Sequence, residues 1–193
     1  MKETSKKFNI DFICFCLMPN HLHFLLKINE SNLSLAMKNI FERYANYFNK
    51  KYTRKGHVFY GRYRDAYCDD ERYFLAISVY IHLNPLKAGL CRRLDDYRWS
   101  SIIPYIKKDK KTFLKYKKVL SILSKDMEKA RQEYNRLLKE AQTIKYDNYL
   151  NNPNGLRKFI LNFTRKTLKK IEGSLVAKGE ATKFVNKRSL VLP

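Results

Sequence analysis

Two short apolar runs, residues 12–18 and 22–28, are rich in Phe, Ile and Leu and are broken by Pro19-Asn20. That pattern commits the chain, close to its start, to a β-hairpin with a tight connection. The second run opens on His21-Leu22-His23. Side chains alternate across a strand, so Leu22 can enter a core while the two imidazoles converge on one side, where a metal ion or a phosphate could be held. Taken alone, the pair also fits two satisfied polar residues on a strand surface.

The rest of the 193 residues must supply what a hairpin lacks, and 45% apolar with 14% aromatic content is enough for one hydrophobic core plus an appendage. Lys and Arg number 40 against 18 Asp and Glu, a formal charge of +22 that would strain a compact chain unless a polyanion is a normal partner. The charge runs along most of the length, interleaved with 14 Tyr, 12 Phe and 1 Trp, as suits stacking on unpaired bases. A solvated Lys-rich surface is the plainer alternative. Cys14, Cys16, Cys68 and Cys91 show no metal-binding spacing and fit reduced thiols. With no apolar run of spanning length and no apolar centre in residues 1–10, the expectation is a soluble, cytoplasmic protein with no membrane partner.

From Asn32 onward, Leu33, Met37, Ile40, Phe41, Tyr44 and Phe48 recur at helical spacing, predicting an amphipathic helix to about Asn49 with Ser31 or Asn32 as N-cap. After Gly56, the alternation in His57 to Tyr67 predicts a third strand, with Gly61 as a bend or bulge. Asp69-Asp70-Glu71 would cap a helix through Tyr73, Phe74, Ile77, Tyr80 and Ile81, ended by Asn84-Pro85. Tyr80 and Asn84 share a face if the last turn holds, although a residue before proline is biased away from helix. Composition changes near residue 105, which divides the chain into 1–104 and a basic helical extension, 105–193. The extension predicts helices over 119–141 and 156–171, separated by the loop-forming Asn151-Asn152-Pro153-Asn154-Gly155.

Three segments hold the functional signal: Met18-Pro-Asn-His-Leu-His23, Gly56-His-Val-Phe-Tyr-Gly-Arg-Tyr63, and Tyr80-Ile-His-Leu-Asn-Pro85 followed by Ala88-Gly89-Leu90. With the trailing Asp96-Tyr-Arg-Trp-Ser-Ser101, they closely resemble the REP-associated tyrosine transposases and the single-strand insertion-sequence transposases with one catalytic tyrosine. The resemblance covers about residues 10–103 and rests on several motifs in order. It implies an α+β, ferredoxin-like antiparallel sheet with helices on one face. It also implies that His21 and His23 hold a divalent cation, Mg²⁺ or Mn²⁺, with Asn84 as a third, amide-oxygen ligand. Tyr80 would attack single-stranded or hairpin DNA, giving a 5′-phosphotyrosine and a free 3′-hydroxyl.

Other polar residues carry weaker expectations. His57 reads as a phosphate contact rather than a ligand, and Arg62, Tyr63 and Arg64 as residues that position DNA, an exposed basic strand being the plain alternative. His82 points away from Tyr80 on a helix and reads as structural. Two rival functions stand beside the transposase: a non-catalytic nucleic-acid-binding remnant, and a metal-dependent phosphodiester hydrolase using the histidines as acid and base.

The chain also departs from the family pattern. Relatives begin with a strand and a helix ahead of the histidine hairpin, and the strand is central in the sheet. Its loss would leave backbone donors and acceptors unpaired in mid-sheet and impair activity. Either the polypeptide is an incomplete copy, or another strand or a second subunit of a homodimer fills the gap.

Overall fold

A computed structural model describes residues 1–68, 71–109, 112–143, 162–163 and 189–191. The elements are α1 (Lys2–Lys7), β1 (Ile10–Leu17), β2 (Leu22–Ile28), α2 (Leu33–Lys51), β3 (Ala66–Cys68), α3 (Glu71–Lys87), α4 (Ile103–Ile106), α5 (Lys117–Leu123), α6 (Met127–Gln142) and β4 (Ser189–Val191). The architecture is α+β with an antiparallel sheet, consistent with a ferredoxin-like fold carrying C-terminal helices.

β1 and β2 form the expected hairpin, from Ile10 opposite Ile28 to Leu17 opposite Leu22, with an irregularity between Phe12 and Cys14. That extra residue re-phases β1, so that Cys16 and His23 face each other. Both sides of the hairpin are covered. Phe12 and Phe24 meet edge to face at 5.5 Å with Phe113 against Phe12, while His23 on the alternate side packs against Tyr80 of α3.

The sheet order is β1-β2-β4-β3. The strand between the histidine strand and β3 therefore comes from residues 189–191, antiparallel to both neighbours. The mid-sheet position expected to lack a strand is occupied by this distant segment of the same chain.

Three expectations need correction. The third strand is only Ala66–Cys68, not 57–67. Residues 57–65, including His57, Arg62, Tyr63 and Arg64, form an irregular loop after Gly56, whose φ of 98° suits glycine. The alternation there has no sheet behind it, since Tyr60 is fully exposed. Second, α3 does not stop at Asn84-Pro85 but runs to Lys87 with Pro85 inside it. Every residue from Leu75 to Pro85 is buried, and that packing outweighs the loss of one backbone hydrogen bond at proline. Third, the helix over 119–141 is two helices. Asp126 ends the break between them by accepting from the backbone N–H groups of Glu128 and Lys129, which makes it the N-cap of α6. The expected helix 156–171 and the loop before it lie outside the described residues, as do the capping acids Asp69 and Asp70.

α5 and α6 pack behind α3 and contribute Val119, Leu120, Tyr134, Leu137 and Leu138 to the same buried cluster as the hairpin. His82 is the polar centre of this packing. Its Nδ1 lies 2.8 Å from the Tyr134 hydroxyl and its Nε2 2.9 Å from Ser101 Oγ. Tyr134 donates to Ser78 at 3.1 Å, and Ser78 donates to the Leu75 carbonyl at 2.7 Å. Ser101 Oγ also donates to the Phe15 carbonyl at 3.0 Å, which ties the buried imidazole to the histidine hairpin. Burial pushes the His82 pKa down to about 3, in keeping with its structural reading.

This sets a pH dependence. Unfolding returns His82 toward its ordinary pKa of 6.5, so below that pH the unfolded chain binds a proton that the folded chain refuses. The stability linked to this neutral ring is present above pH 6.5 and lost as pH falls toward about 3, by up to about 1.4 kcal/mol per pH unit. Urea midpoints from pH 7 to pH 5 should fall more steeply in the native protein than in His82→Gln, whose side chain does not titrate. Parallel slopes would contradict the assignment.

Candidate active site

The hairpin and α3 build the site together. His23 lies in β2 and His21 immediately before it, and their ring centroids are 4.9 Å apart. Tyr80, mid-way along α3, places its ring 5.7 Å from His23 at a steep 78°. The three rings form one contiguous group, although they come from segments nearly sixty residues apart in sequence.

His21 is set up as a ligand would be. Its Nδ1 lies 2.7 Å from Asn20 Oδ1, an acceptor that fixes the proton on Nδ1. The lone pair is then on Nε2, which is buried and has no hydrogen-bond partner. Burial also lowers the His21 pKa, keeping the ring neutral at physiological pH. Cys16, across from His23, has its thiol pushed up to about 12 by burial and is a neutral packing group.

Among the described residues, no cluster of three or more His, Cys, Asp or Glu side chains is arranged to hold a metal. Among the described residues, a third protein ligand would be of another type. Asn84 lies one turn beyond Tyr80, is 8% exposed, and donates its amide N–H to the Tyr80 carbonyl at 2.8 Å. That bond commits the nitrogen to the helix and leaves Oδ1 as the end available to a cation. Two imidazoles and an amide oxygen are donor types that suit a divalent ion.

The end of the hairpin is strapped by residues 97–101. Tyr97 donates its hydroxyl to the Leu17 carbonyl at 2.7 Å, and the Leu17 N–H donates to the Trp99 carbonyl at 2.9 Å. The Phe15 N–H donates to Ser101 Oγ at 2.7 Å. The Asp96–Ser101 motif carried part of the family resemblance, but nothing in its sequence showed that it holds the histidine hairpin. Asn20 was likewise missed; an amide directly before a candidate histidine ligand was the available signal.

The remaining candidates lie elsewhere. Gly56 accepts from Asn49 of α2 at 2.9 Å, the His57 carbonyl accepts from Arg54, and the Tyr63 hydroxyl lies 3.0 Å from Ser34 Oγ. His57, Arg62 and Arg64 are exposed. The loop is thus tied to α2, rather than forming a strand beside the histidines.

The family described as Transposase IS200 like matches residues 1–84, a span that includes His21, His23, Tyr80 and Asn84. A Haemophilus influenzae protein that carries the name REP-associated tyrosine transposase is 26% identical over 112 residues, covering 52% of this chain. The chain spans 63% of that relative's length. No solved structure matches. No helix among the described residues is long and apolar enough to cross a membrane. Residues 1–84 of this chain, which hold the histidine hairpin and Tyr80, are thus similar to the IS200-like transposase family.

Proposed function

We propose that this chain is a tyrosine transposase that cuts and rejoins single-stranded or hairpin DNA with the help of Mg²⁺ or Mn²⁺. The observation that carries the reading is the contiguous group of His21, His23 and Tyr80, with the buried His21 Nε2 left for a ligand. His21, His23 and the Asn84 amide oxygen would hold the cation. When bound, it would polarise the scissile phosphate and offset charge on the leaving oxygen.

The protein's own step is nucleophilic. The Tyr80 phenol gives up its proton to solvent and its oxygen attacks the phosphorus; the bond to the 3′ oxygen of the preceding nucleotide breaks, and that oxygen takes a proton from solvent. The products are a 5′-phosphotyrosine and a free 3′-hydroxyl. Because a phosphodiester is exchanged for an aryl phosphodiester, a 3′-hydroxyl can later reverse the exchange without an external energy source. Asn20 holds the His21 tautomer, and the strap at 97–101 holds the hairpin against α3. Arg62, Tyr63, Arg64 and His57 would contact the DNA backbone from the loop.

The test is covalent capture. Labelled single-stranded hairpin DNA incubated with protein and Mn²⁺ should yield a protein–DNA adduct that survives denaturation, and chelation should prevent it. Cleaved DNA with no protein-linked species would favour hydrolysis; salt-sensitive binding without cleavage would favour a non-catalytic remnant.

A further inference from the structure

We infer that the C-terminal half of α2 and the loop after it form a separate docking face for an unpaired stretch of DNA. This rests on the reading that DNA is the substrate, and it concerns residues outside the histidine and tyrosine group. Tyr44, Phe48 and Tyr52 succeed one another at helical spacing, with centroids 5.9 and 4.6 Å apart. Phe59 returns from the loop to lie 5.8 Å from Tyr44. The ladder is not sealed into the core. Tyr44 is 48% exposed, Tyr47 58%, Tyr52 57% and Tyr60 110%, and these are four of the seven exposed large hydrophobic residues among those described. Such a concentration asks for a partner with flat faces of its own.

Charge identifies the partner. Between Lys38 and Arg64 the sequence holds eight Lys or Arg residues and one acid, Glu42, which lies 3.7 Å from Lys38. Lys51 sits over the Tyr47 and Tyr52 rings at 5.7 and 5.4 Å, so cation and ring are presented together. A second copy of this chain is a poor occupant. A two-fold interface would bring Lys50, Lys51, Arg54 and Lys55 close to their own equivalents. A single strand suits both features, since its bases stack on the rings and its phosphates meet the cations. In a duplex the faces of internal bases are already stacked.

The experiment measures binding of fluorescent oligothymidylate and of a duplex of equal length at several salt concentrations. The triple variant Tyr47→Ala, Tyr52→Ala, Tyr60→Ala should lose single-strand affinity by about tenfold or more, while the salt slope is retained. The corresponding triple Phe variant should bind as the native protein does. Lys50→Gln with Lys51→Gln should instead reduce the slope by roughly 0.7 per lysine. Unchanged single-strand binding in the triple Ala variant would overturn the inference. So would a native dimer that this variant converts to a monomer. If the Ala variant loses binding yet the native protein forms no adduct, the docking face stands and the transposase reading fails. If the adduct forms and binding is unaffected, the reverse holds.

Discussion

Tyr80→Phe is expected to reduce the covalent DNA adduct by more than about 10³-fold, to the limit of detection, because phenylalanine has no atom that can form the ester. The ring itself is retained. Phenylalanine can keep the edge contact with His23, and the backbone carbonyl that accepts from Asn84 is untouched. The variant should therefore melt near the native protein and bind Mn²⁺ with similar affinity in an electron paramagnetic resonance titration. His21→Ala should behave differently, losing both the adduct and Mn²⁺ binding. Asn20→Ala should sit between them, with metal affinity lowered by roughly 10- to 100-fold as the His21 tautomer is released. An adduct of undiminished yield in Tyr80→Phe would transfer the nucleophile to another residue. Loss of Mn²⁺ affinity in that same variant would mean that the phenol is a ligand.

The parts of this fold that could be read from sequence are those in which local pattern and burial agree. Pro19-Asn20 breaks two apolar runs, and the hairpin turns there; the helix from Leu33 follows its apolar spacing and overruns by two residues. Where the two disagree, local rules fail. Alternating aromatics at 57–67 look the same whether they face a core or water, and only Ala66–Cys68 finds a strand partner. Pro85 should end a helix by its own chemistry, but the buried surroundings of α3 carry the helix through it. Asp126 was a readable cap inside a run that otherwise favours a continuous helix. The histidines were visible as a pair because a strand's period is two. Singling out Tyr80 from 14 tyrosines required the family motif, since its placement depends on how α3 lies on the sheet.

The C-terminal strand was illegible for a different reason: three residues, Ser189 to Val191, have no period of their own and acquire an identity only through their neighbours. Their position gives them a large expected effect. β4 pairs with Leu25, Leu26 and Lys27 on one side and with Ala66, Tyr67 and Cys68 on the other. Without it β3 loses its neighbour in the sheet, and β2 is left open along half its length beside Leu25 and Leu26, both fully buried. Each unpaired buried backbone group costs about 1–3 kcal/mol, so losing several approaches the roughly 5–15 kcal/mol that holds a domain folded. Deleting residues 189–193 should therefore abolish the cooperative urea transition or move its midpoint sharply downward. Leu190→Pro should do nearly as much, because proline cannot donate to a ladder in mid-sheet, whereas Leu190→Val should be tolerated. The consequence reaches the candidate active site. β3 leads within three residues into α3, so a loosened sheet frees Tyr80 from the histidine strand, and adduct formation should fall along with stability. A peptide spanning 186–193 added in trans should restore part of both. A deletion variant that unfolds cooperatively at the native midpoint would show that the sheet holds together without this strand.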